Sequence, residues 1–363
     1  MRARDLGIVL GTLPTGRLNG ITDVAGVRVG HRTLIQSDAV RTGVTIVQPH
    51  EADPGSEPIF AGTHTLNGNG ETTGLEWIRE AGLLGTPIGL TNTHSVGAVH
   101  HALVGASVRG GSGTPGTPWS LPVVAETWDG YLNDIDAQHI GEEDVVAALE
   151  ACESGPVAEG NVGGGTGMKA FGFKAGIGTS SRLVAEEHGG YTVGALVQAN
   201  HGIRERLMID GVPVGREIPR TEIPGPDRSP AGGGSVIVVL ATDAPLLPHQ
   251  CRRLAQRATI GVARTGGGGE NDSGDIFLAF ALGNRGLTAE DEGQSTHHDL
   301  TMLDDDHITE LFWAAIEATE EAIVNSLIAA ETMTGNGCTF HALPADRLLE
   351  IMTRYGRGPV GQA

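Results

Sequence analysis

The sequence predicts an α/β protein whose sheets are covered on both faces. Apolar runs of strand length alternate along the chain with runs that repeat every three to four residues, which is typical of helices between strands. Residues 236–240 contain no polar side chain, as in a strand that is buried on both sides. Glycine makes up 56 of the 363 residues, about twice its average share of roughly 7%. Its clusters beside the apolar runs predict tight turns and close backbone approaches.

The individual elements follow from these patterns. The predicted strands cover residues 44–47, 88–91, 123–126, 168–173, 191–199, 235–241 and 275–282. The predicted helices cover residues 74–81, 96–108, 142–152, 248–262, 308–331 and 345–355. The helix at 248–262 begins with Pro248, which suits a first turn. Its apolar face comprises Cys251, Leu254, Ala255 and Ala258. The helix at 308–331 follows the acidic residues 304–306, which favour a helix N-terminus.

Composition excludes several classes of function. A net charge of −20 and a pI near 5.0 argue against nucleic-acid binding, which needs clustered Lys and Arg. No apolar run reaches the roughly 18 residues of a membrane span, and the apolar stretch before Gly11 is too short for a secretion signal. Three widely spaced cysteines fit neither a disulfide framework nor a zinc site, so we expect a cytoplasmic protein. The histidines lack a ligand spacing, and we expect no metal and no cofactor.

One junction suggests covalent chemistry. Ser235 follows a glycine run and begins an apolar strand. The preceding segment, 211–234, is rich in proline and glycine, which predicts an exposed or mobile linker. Glycine permits strained backbone, so the Gly234–Ser235 peptide can bend until the hydroxyl faces the preceding carbonyl. Self-cleavage there would make Ser235 an N-terminus whose amine serves as its own base. The alternative is a flexible hairpin loop whose serine only begins a strand.

A second glycine cluster precedes Ser273 and Asp275 and again runs into an apolar strand. Two such strands joined by one helix form a β-α-β unit, which can set Ser235 and Ser273 at the same end of a sheet. Asp275 would share a strand face with Ser273 and could orient its hydroxyl or hold an ammonium. A polar turn between helix and strand is the alternative.

Two further segments carry polar groups suited to a site. Glu126, Trp128, Asp129 and Tyr131 place carboxylates beside aromatic rings, which suits recognition of an amine, although an exposed turn has the same composition. Asn200 ends an apolar strand with a side-chain amide, which can donate to an oxyanion.

Taken together, the chain resembles the L-aminopeptidase D-Ala-esterase/amidase (DmpA-like) family, which includes the β-aminopeptidases. The resemblance rests on motifs at residues 21–31, 90–97, 126–134, 173–182 and 232–249. It implies a four-layer αββα sandwich, related to ornithine acetyltransferase, in one domain that cleaves itself into residues 1–234 and 235–363 and assembles into a homo-oligomer. By position it implies Ser235 as nucleophile, Ser273 and Asp275 as its supporting pair, and Tyr131 and Asn200 as residues lining the site. Where the resemblance leads us to expect Glu, this chain has Asp275.

The resulting hypothesis is an aminopeptidase that releases N-terminal residues from small peptides, amides or esters, with Glu126, Trp128 and Asp129 binding the substrate. It involves neither nucleic acid nor membrane. One alternative is an acyltransferase of the ornithine acetyltransferase type, although that family uses Thr as nucleophile. Another is a non-catalytic protein whose glycine loops hold a small ligand.

Overall fold

The computed structural model describes residues 1–109, 120–225, 234–287 and 297–358. Its strands are β1 (Arg28–Gln36), β2 (Val40–Gln48), β3 (Ile59–Gly68), β4 (Leu83–Leu84), β5 (Ile88–Asn92), β6 (Val123–Thr127), β7 (Lys169–Ala170), β8 (Phe173–Lys174), β9 (Ile177–Leu183), β10 (Thr192–Asn200), β11 (Gly234–Thr242), β12 (Ser273–Ala281), β13 (Met333–Gly335) and β14 (Cys338–Phe340). Its α-helices are α1 (Leu75–Ala81), α2 (Val96–Arg109), α3 (Glu142–Glu150), α4 (Val214–Glu217), α5 (Pro248–Arg264), α6 (Ile308–Ile328) and α7 (Ala345–Arg354).

Two large sheets organise these elements. The smaller has the strand order β1-β2-β5-β6, and the larger has the order β4-β3-β12-β11-β10-β9. In the larger sheet β11 and β12 run parallel and are joined along the chain by α5, whereas β10 lies antiparallel to β11. Parallel strands begin at the same edge of a sheet, so Ser235 and Ser273 lie together there. The predicted β-α-β unit is confirmed.

The sheets pack face to face, and helices cover their outer faces. The core between them combines side chains of both sheets, such as Leu90 of β5 and Val239 of β11. On the outer face of the larger sheet, α5 and α6 enclose a second core that includes Leu254. On the outer face of the smaller sheet, α2 and α3 enclose a third core that includes Leu103. The αββα architecture is confirmed.

Most elements predicted from sequence are present. The predicted helices correspond to α1, α2, α3, α5, α6 and α7, and the predicted face of α5 is buried. The strand predicted at 168–173 is wrong, because a turn with φ 51° at Phe171 and 71° at Gly172 separates β7 from β8. A prediction based on apolar runs also misses β1, β3 and β9, because polar residues interrupt the sequences of these strands.

The first part of the predicted linker packs against the protein. Val212, Val214 and Ile218 belong to the core beneath the helices, so an exposed linker is wrong for residues 211–218, whereas residues 219–225 are exposed or half-buried. Arg204 fixes this stretch, because its guanidinium donates to the carbonyls of Ile218 and Ile223, both at 3.2 Å. Residues 226–233, including the motif glycines Gly232 and Gly233, lie outside the described residues. Within the described ranges, no helix is long and apolar enough to cross a membrane.

Candidate active site

A cavity of about 670 Å³ opens at the edge of the larger sheet where β11 and β12 begin. Its wall is formed by both sheets and by the connections at their ends. The lining residues are Gly68, Asn69, Gly70, Glu71, Thr93, Glu126, Trp128, Tyr131, Lys169, Asn200, Gly234, Ser235 and Asp272. The structure therefore brings five of the residues predicted from sequence into one cavity wall together with Gly234, although they are far apart in the chain.

Ser235 is the second residue of β11 and is 5% exposed. It lies opposite Asn200 of β10 on one side and Gly274 of β12 on the other. Alternation along the strand places its side chain on the same face as Ile237, which lies in the core between the sheets. The hydroxyl therefore faces the smaller sheet, which supplies the opposite wall of the cavity.

Ser273 and Asp275 form the hydrogen-bonded pair that their spacing predicts. The Ser273 hydroxyl donates to Asp275 Oδ1 at 2.7 Å, and the Asn67 side chain donates to Oδ2 at 2.6 Å. Burial raises the pKa of Asp275, while hydrogen bonds from Ser273, Asn67 and the Val236 backbone act in the opposite direction. This carboxylate therefore accepts protons more readily than an ordinary aspartate. Asn67 was not predicted from sequence, and its position at the end of β3 gave no motif to identify it.

The Ser273–Asp275 pair and the Ser235 side chain lie on different faces of the sheet. Alternation puts Asp275 on the same face as Phe277, in the core beneath the helices. Neither Ser273 nor Asp275 is among the described residues that line the cavity. The pair lies beside the Ser235 main chain, since Gly234 is in register with Ser273. The pair is therefore separated from the Ser235 hydroxyl by the sheet and lies next to the Gly234–Ser235 main chain.

Asn200 is held in a fixed orientation at the end of β10. Its Nδ2 donates to the Trp128 carbonyl at 3.0 Å, and its Oδ1 accepts from the Lys169 backbone amide at 3.1 Å. An amide nitrogen carries two hydrogens, so the second N–H is available beside Ser235. In this geometry the Asn200 amide can donate to an oxyanion that forms beside Ser235.

Glu126 supplies a carboxylate at the end of β6. Its Oε1 accepts from the Glu71 backbone amide at 2.9 Å, and its Oε2 accepts from the Thr93 hydroxyl. Burial raises the pKa of Glu126, while the two hydrogen bonds lower it. Trp128 and Tyr131 form an edge-on aromatic pair beside it, with centroids 4.8 Å apart. The predicted combination of carboxylate and aromatic wall is thus present at the cavity.

The structure places Asp129 behind this wall. Its side chain is 1% exposed, its Oδ1 accepts from Asn133 at 3.1 Å, and burial raises its pKa to about 7. Asp129 is not among the described residues that line the cavity. The sequence predicts that Asp129 contacts the substrate. In the structure Asp129 instead lies buried behind the aromatic residues and supports the cavity wall from inside.

Lys169 lines the cavity although the motifs did not identify it as a site residue. It is 5% exposed, and burial lowers its pKa to about 8. A sequence signal for it does exist. Lys169 and Lys174 are the two lysines of the chain, because every other basic residue apart from histidine is Arg. Among the described residues there is no group of three His, Cys, Asp or Glu suited to hold a metal ion.

Comparisons with known proteins identify the family. A model of peptidase family S58 matches residues 19–340. The beta-peptidyl aminopeptidase BapA of Sphingosinicella microcystinivorans is 47% identical, over 98% of this chain and 93% of its own. The structure of a Burkholderia sp. beta-aminopeptidase has a TM-score of 0.91 at 54% identity, covering 98% of this chain and 99% of that one. The structure of the L-aminopeptidase D-Ala-esterase/amidase of Ochrobactrum anthropi has a TM-score of 0.90 at 46% identity, covering 98% of this chain and 99% of that one. That protein is described as a prototype of the serine aminopeptidases and as a variant of the Ntn hydrolase fold.

These similarities confirm the resemblance inferred from the motifs and favour hydrolysis over the acyltransferase and ligand-binding alternatives. They extend over nearly the whole chain and over nearly the whole of each solved relative. The chain belongs to peptidase family S58 and is a serine-type aminopeptidase with the N-terminal-nucleophile hydrolase fold.

Proposed function

We propose that this aminopeptidase activates itself by cleaving the Gly234–Ser235 bond and then uses Ser235 as an N-terminal nucleophile. The observation that carries the proposal is the place of Ser235 at the start of β11. There it has the Asn200 amide on one side, the Ser273–Asp275 pair beside its main chain, and a cavity in front of its hydroxyl. The scissile peptide and the later catalytic groups thus occupy one sheet edge.

Self-cleavage would proceed as an N-to-O acyl shift. Ser235 Oγ attacks the Gly234 carbonyl carbon, the C–N bond breaks, and the proton from Oγ goes to the departing amine. Water then hydrolyses the ester and releases the Gly234 carboxylate and a free Ser235 hydroxyl. The products are residues 1–234 and 235–363.

In turnover, the new α-amine would act as the base for its own hydroxyl, since such amines titrate near about 7.7–8.0. Asp275 would orient this amine through Ser273. Asn200 would donate to the oxyanion of each tetrahedral intermediate, one on forming the acyl-enzyme and one on its hydrolysis by water. Tyr131 would form part of the wall that positions the substrate. These steps use the α-amine and side chains of this chain together with water, and no step is assigned to a metal or cofactor.

Glu126 is proposed to bind the substrate's terminal ammonium, with Trp128 beside it. The substrates proposed are small peptides, amides or esters. We propose that the preferred substrate has an N-terminal β-amino residue, because relatives at 47% and 54% identity are named beta-peptidyl aminopeptidase and beta-aminopeptidase. The relative at 46% identity is named for L-amino and D-Ala substrates, so those residues belong in the same test.

We also propose that the cleaved unit forms a homo-oligomer and that the protein is cytoplasmic. Ile260 on α5 and Trp313 on α6 are 43% and 45% exposed, which suits contact between copies of the cleaved unit in a homo-oligomer. Cys152, Cys251 and Cys338 are free thiols, in keeping with the reducing cytoplasm. Light scattering on the purified protein tests the first proposal.

The function is tested with p-nitroanilides of β-, L- and D-amino acids. The wild type should hydrolyse the β-amino substrate with the highest kcat/KM, and prolonged EDTA treatment should not change the rate. Ser235→Ala should hydrolyse none of them, because the acylation route is lost. Turnover by Ser235→Ala at the wild-type rate would contradict the assignment of the nucleophile.

A further inference from the structure

Lys169 is a buried cation in the wall of the catalytic cavity, and the mechanism above does not use it. Its backbone amide donates to Asn200 Oδ1 at 3.1 Å, which fixes it beside the end of β10. Its Nζ lies 6.0 Å from the centre of the Tyr131 ring. The side chain therefore belongs to the same wall as the groups proposed to act on the substrate.

Lys169 and Glu126 lie on opposite sides of Ser235. Across the sheet edge the order is Asn200 on β10, Ser235 on β11 and Gly274 on β12. A Cβ added at Gly70 would lie 3.2 Å from Glu126 Oε1 and 3.1 Å from the Gly274 Cα, so the Glu126 carboxylate is on the β12 side. The Lys169 main chain is on the β10 side, where its amide donates to Asn200.

The charges along the cavity are correspondingly divided. Three charged lining side chains are acidic: Glu71, Glu126 and Asp272. Lys169 is the cation among the described residues of the lining. A substrate that spans the nucleophile thus meets carboxylates at one end and an ammonium at the other.

We propose that Lys169 binds the free carboxylate of the leaving residue, so that the preferred substrate is a dipeptide with both termini charged. This rests on the proposed function, which puts the scissile carbonyl at Ser235 and the substrate ammonium at Glu126. The leaving residue then extends toward β10. Neighbouring strands are about 4.8 Å apart, so positions two strands apart are separated by roughly 10 Å. An extended dipeptide spans about 7 Å, and the long side chains of Lys169 and Glu126 can cover the rest.

The protonation state of Lys169 suits this role near neutral pH. Burial lowers its pKa to about 8, with a further lowering by Arg220 and opposing contributions from Glu270 and Asp272. Burial, and to a smaller extent Lys169 itself, lowers the pKa of the buried His201 to about 3, so that this imidazole stays neutral. The ammonium is therefore mostly present at pH 7 and is lost as the pH rises through about 8.

The test compares kcat/KM for a β-alanyl dipeptide and for its C-terminal amide in one enzyme preparation. The ratio of the two values does not depend on how much of the preparation has matured. In the wild type at pH 7 the free acid should be favoured roughly 10- to 100-fold, as for a hydrogen bond between charged groups. Lys169→Met should bring the ratio close to one, and Lys169→Arg should retain part of the preference. Glu126→Gln serves as the matched control, because it should weaken both substrates equally.

If Lys169→Met does not cleave itself and is inactive, the pH dependence of the wild-type preference tests the proposal instead. The preference of the wild type for the free acid should fall between pH 7 and pH 9.5, as Lys169 loses its charge. A wild type without any preference at pH 7, or an active Lys169→Met enzyme with the wild-type ratio, would overturn the inference while leaving the proposed function intact. A wild type that turns over neither dipeptide nor amide would instead contradict the proposed function.

Discussion

Asp275 combines a buried carboxylate with three hydrogen-bond donors and lies on the face of the sheet opposite the cavity. It can act on the reaction through Ser273 and the Ser235 amine without touching the substrate. Asp275→Asn keeps the size of the side chain but removes its charge. We expect kcat to fall by roughly 10²–10⁴ with little change in KM, as for loss of a general acid–base contribution. Asp275→Glu, which restores the charge, should be more active than Asp275→Asn in the same steady-state assay. An unchanged kcat in Asp275→Asn would contradict the role.

Glu126 is expected to give the opposite kinetic signature. Glu126→Gln should raise KM more than it lowers kcat, since the ion pair with the substrate ammonium is lost in the ground state. N-acetylated substrates should be refused by the wild type. Burial raises the pKa of Glu126, so the carboxylate loses its charge at a higher pH than an ordinary glutamate does. As the pH falls, kcat/KM of the wild type should therefore decrease earlier, and this decrease should be weaker in Glu126→Gln. Ready hydrolysis of N-acetyl substrates would argue against this role.

At the scale of the elements, the site depends on how closely β11 approaches β10. A Cβ at Gly234 would lie 2.1 Å from the Asn200 carbonyl oxygen and 2.8 Å from the His201 Cα, so the backbone would have to move. At Gly68, which lines the same cavity, a Cβ would meet nothing within 4 Å.

Gly234→Ala should therefore displace Ser235 from Asn200 and slow self-cleavage, whereas Gly68→Ala should mature like the wild type. Overpacking of this kind typically costs about 1–3 kcal/mol. A time course on denaturing gels measures the uncut fraction of each variant. Equal rates of cleavage in the two variants would show that the close contact at Gly234 is not required.

β11, which contains Ser235, and β12, which begins at Ser273, were predictable from sequence. The strands that were missed were missed for physical reasons. β11 and β12 are long apolar runs that begin at glycine clusters, so the local sequence predicts both that they are strands and where they begin. β9 is different, because Ser180, Ser181 and Arg182 are buried there by hydrogen bonds to Asn19, Asp23 and Glu317. Such partners are remote in sequence, and no local pattern reveals them. The same applies to Asn67, which meets Asp275 only through the pairing of β3 with β12.

At the scale of the whole molecule, the two proposed cleavage products share one sheet and one buried ion cluster. β10 precedes the Gly234–Ser235 bond and all of β11 after Gly234 follows it, yet the two strands are paired along their length. Arg182 of β9 donates to Glu317 at 3.2 Å and to Glu321 at 2.7 Å, both on α6, and Arg182 and Glu321 are fully buried. The products should therefore stay associated after cleavage and separate only in denaturant.

Loss of the Arg182 guanidinium leaves the buried Glu317 without its ion-pair partner and leaves the buried Glu321 paired with Arg4 alone. We expect Arg182→Ala to destabilise the protein by about 3–5 kcal/mol, the usual cost of breaking a buried ion pair. Arg109→Ala, which removes an exposed pair with Glu142, should cost about 0–1 kcal/mol. Thermal unfolding of the two variants compares them directly. A melting temperature of Arg182→Ala equal to that of Arg109→Ala would mean that the cluster does not hold the products together.

Ser235 is expected to become the N-terminus of a second chain. Intact mass and N-terminal sequencing of the purified wild type test it most directly. We expect two chains, with 234 and 129 of the 363 residues of the 37.6 kDa precursor, and the shorter chain should begin Ser-Val-Ile-Val-Val. Ser235→Ala should remain a single chain. A wild-type protein that is fully active as one uncut 37.6 kDa chain would contradict the account.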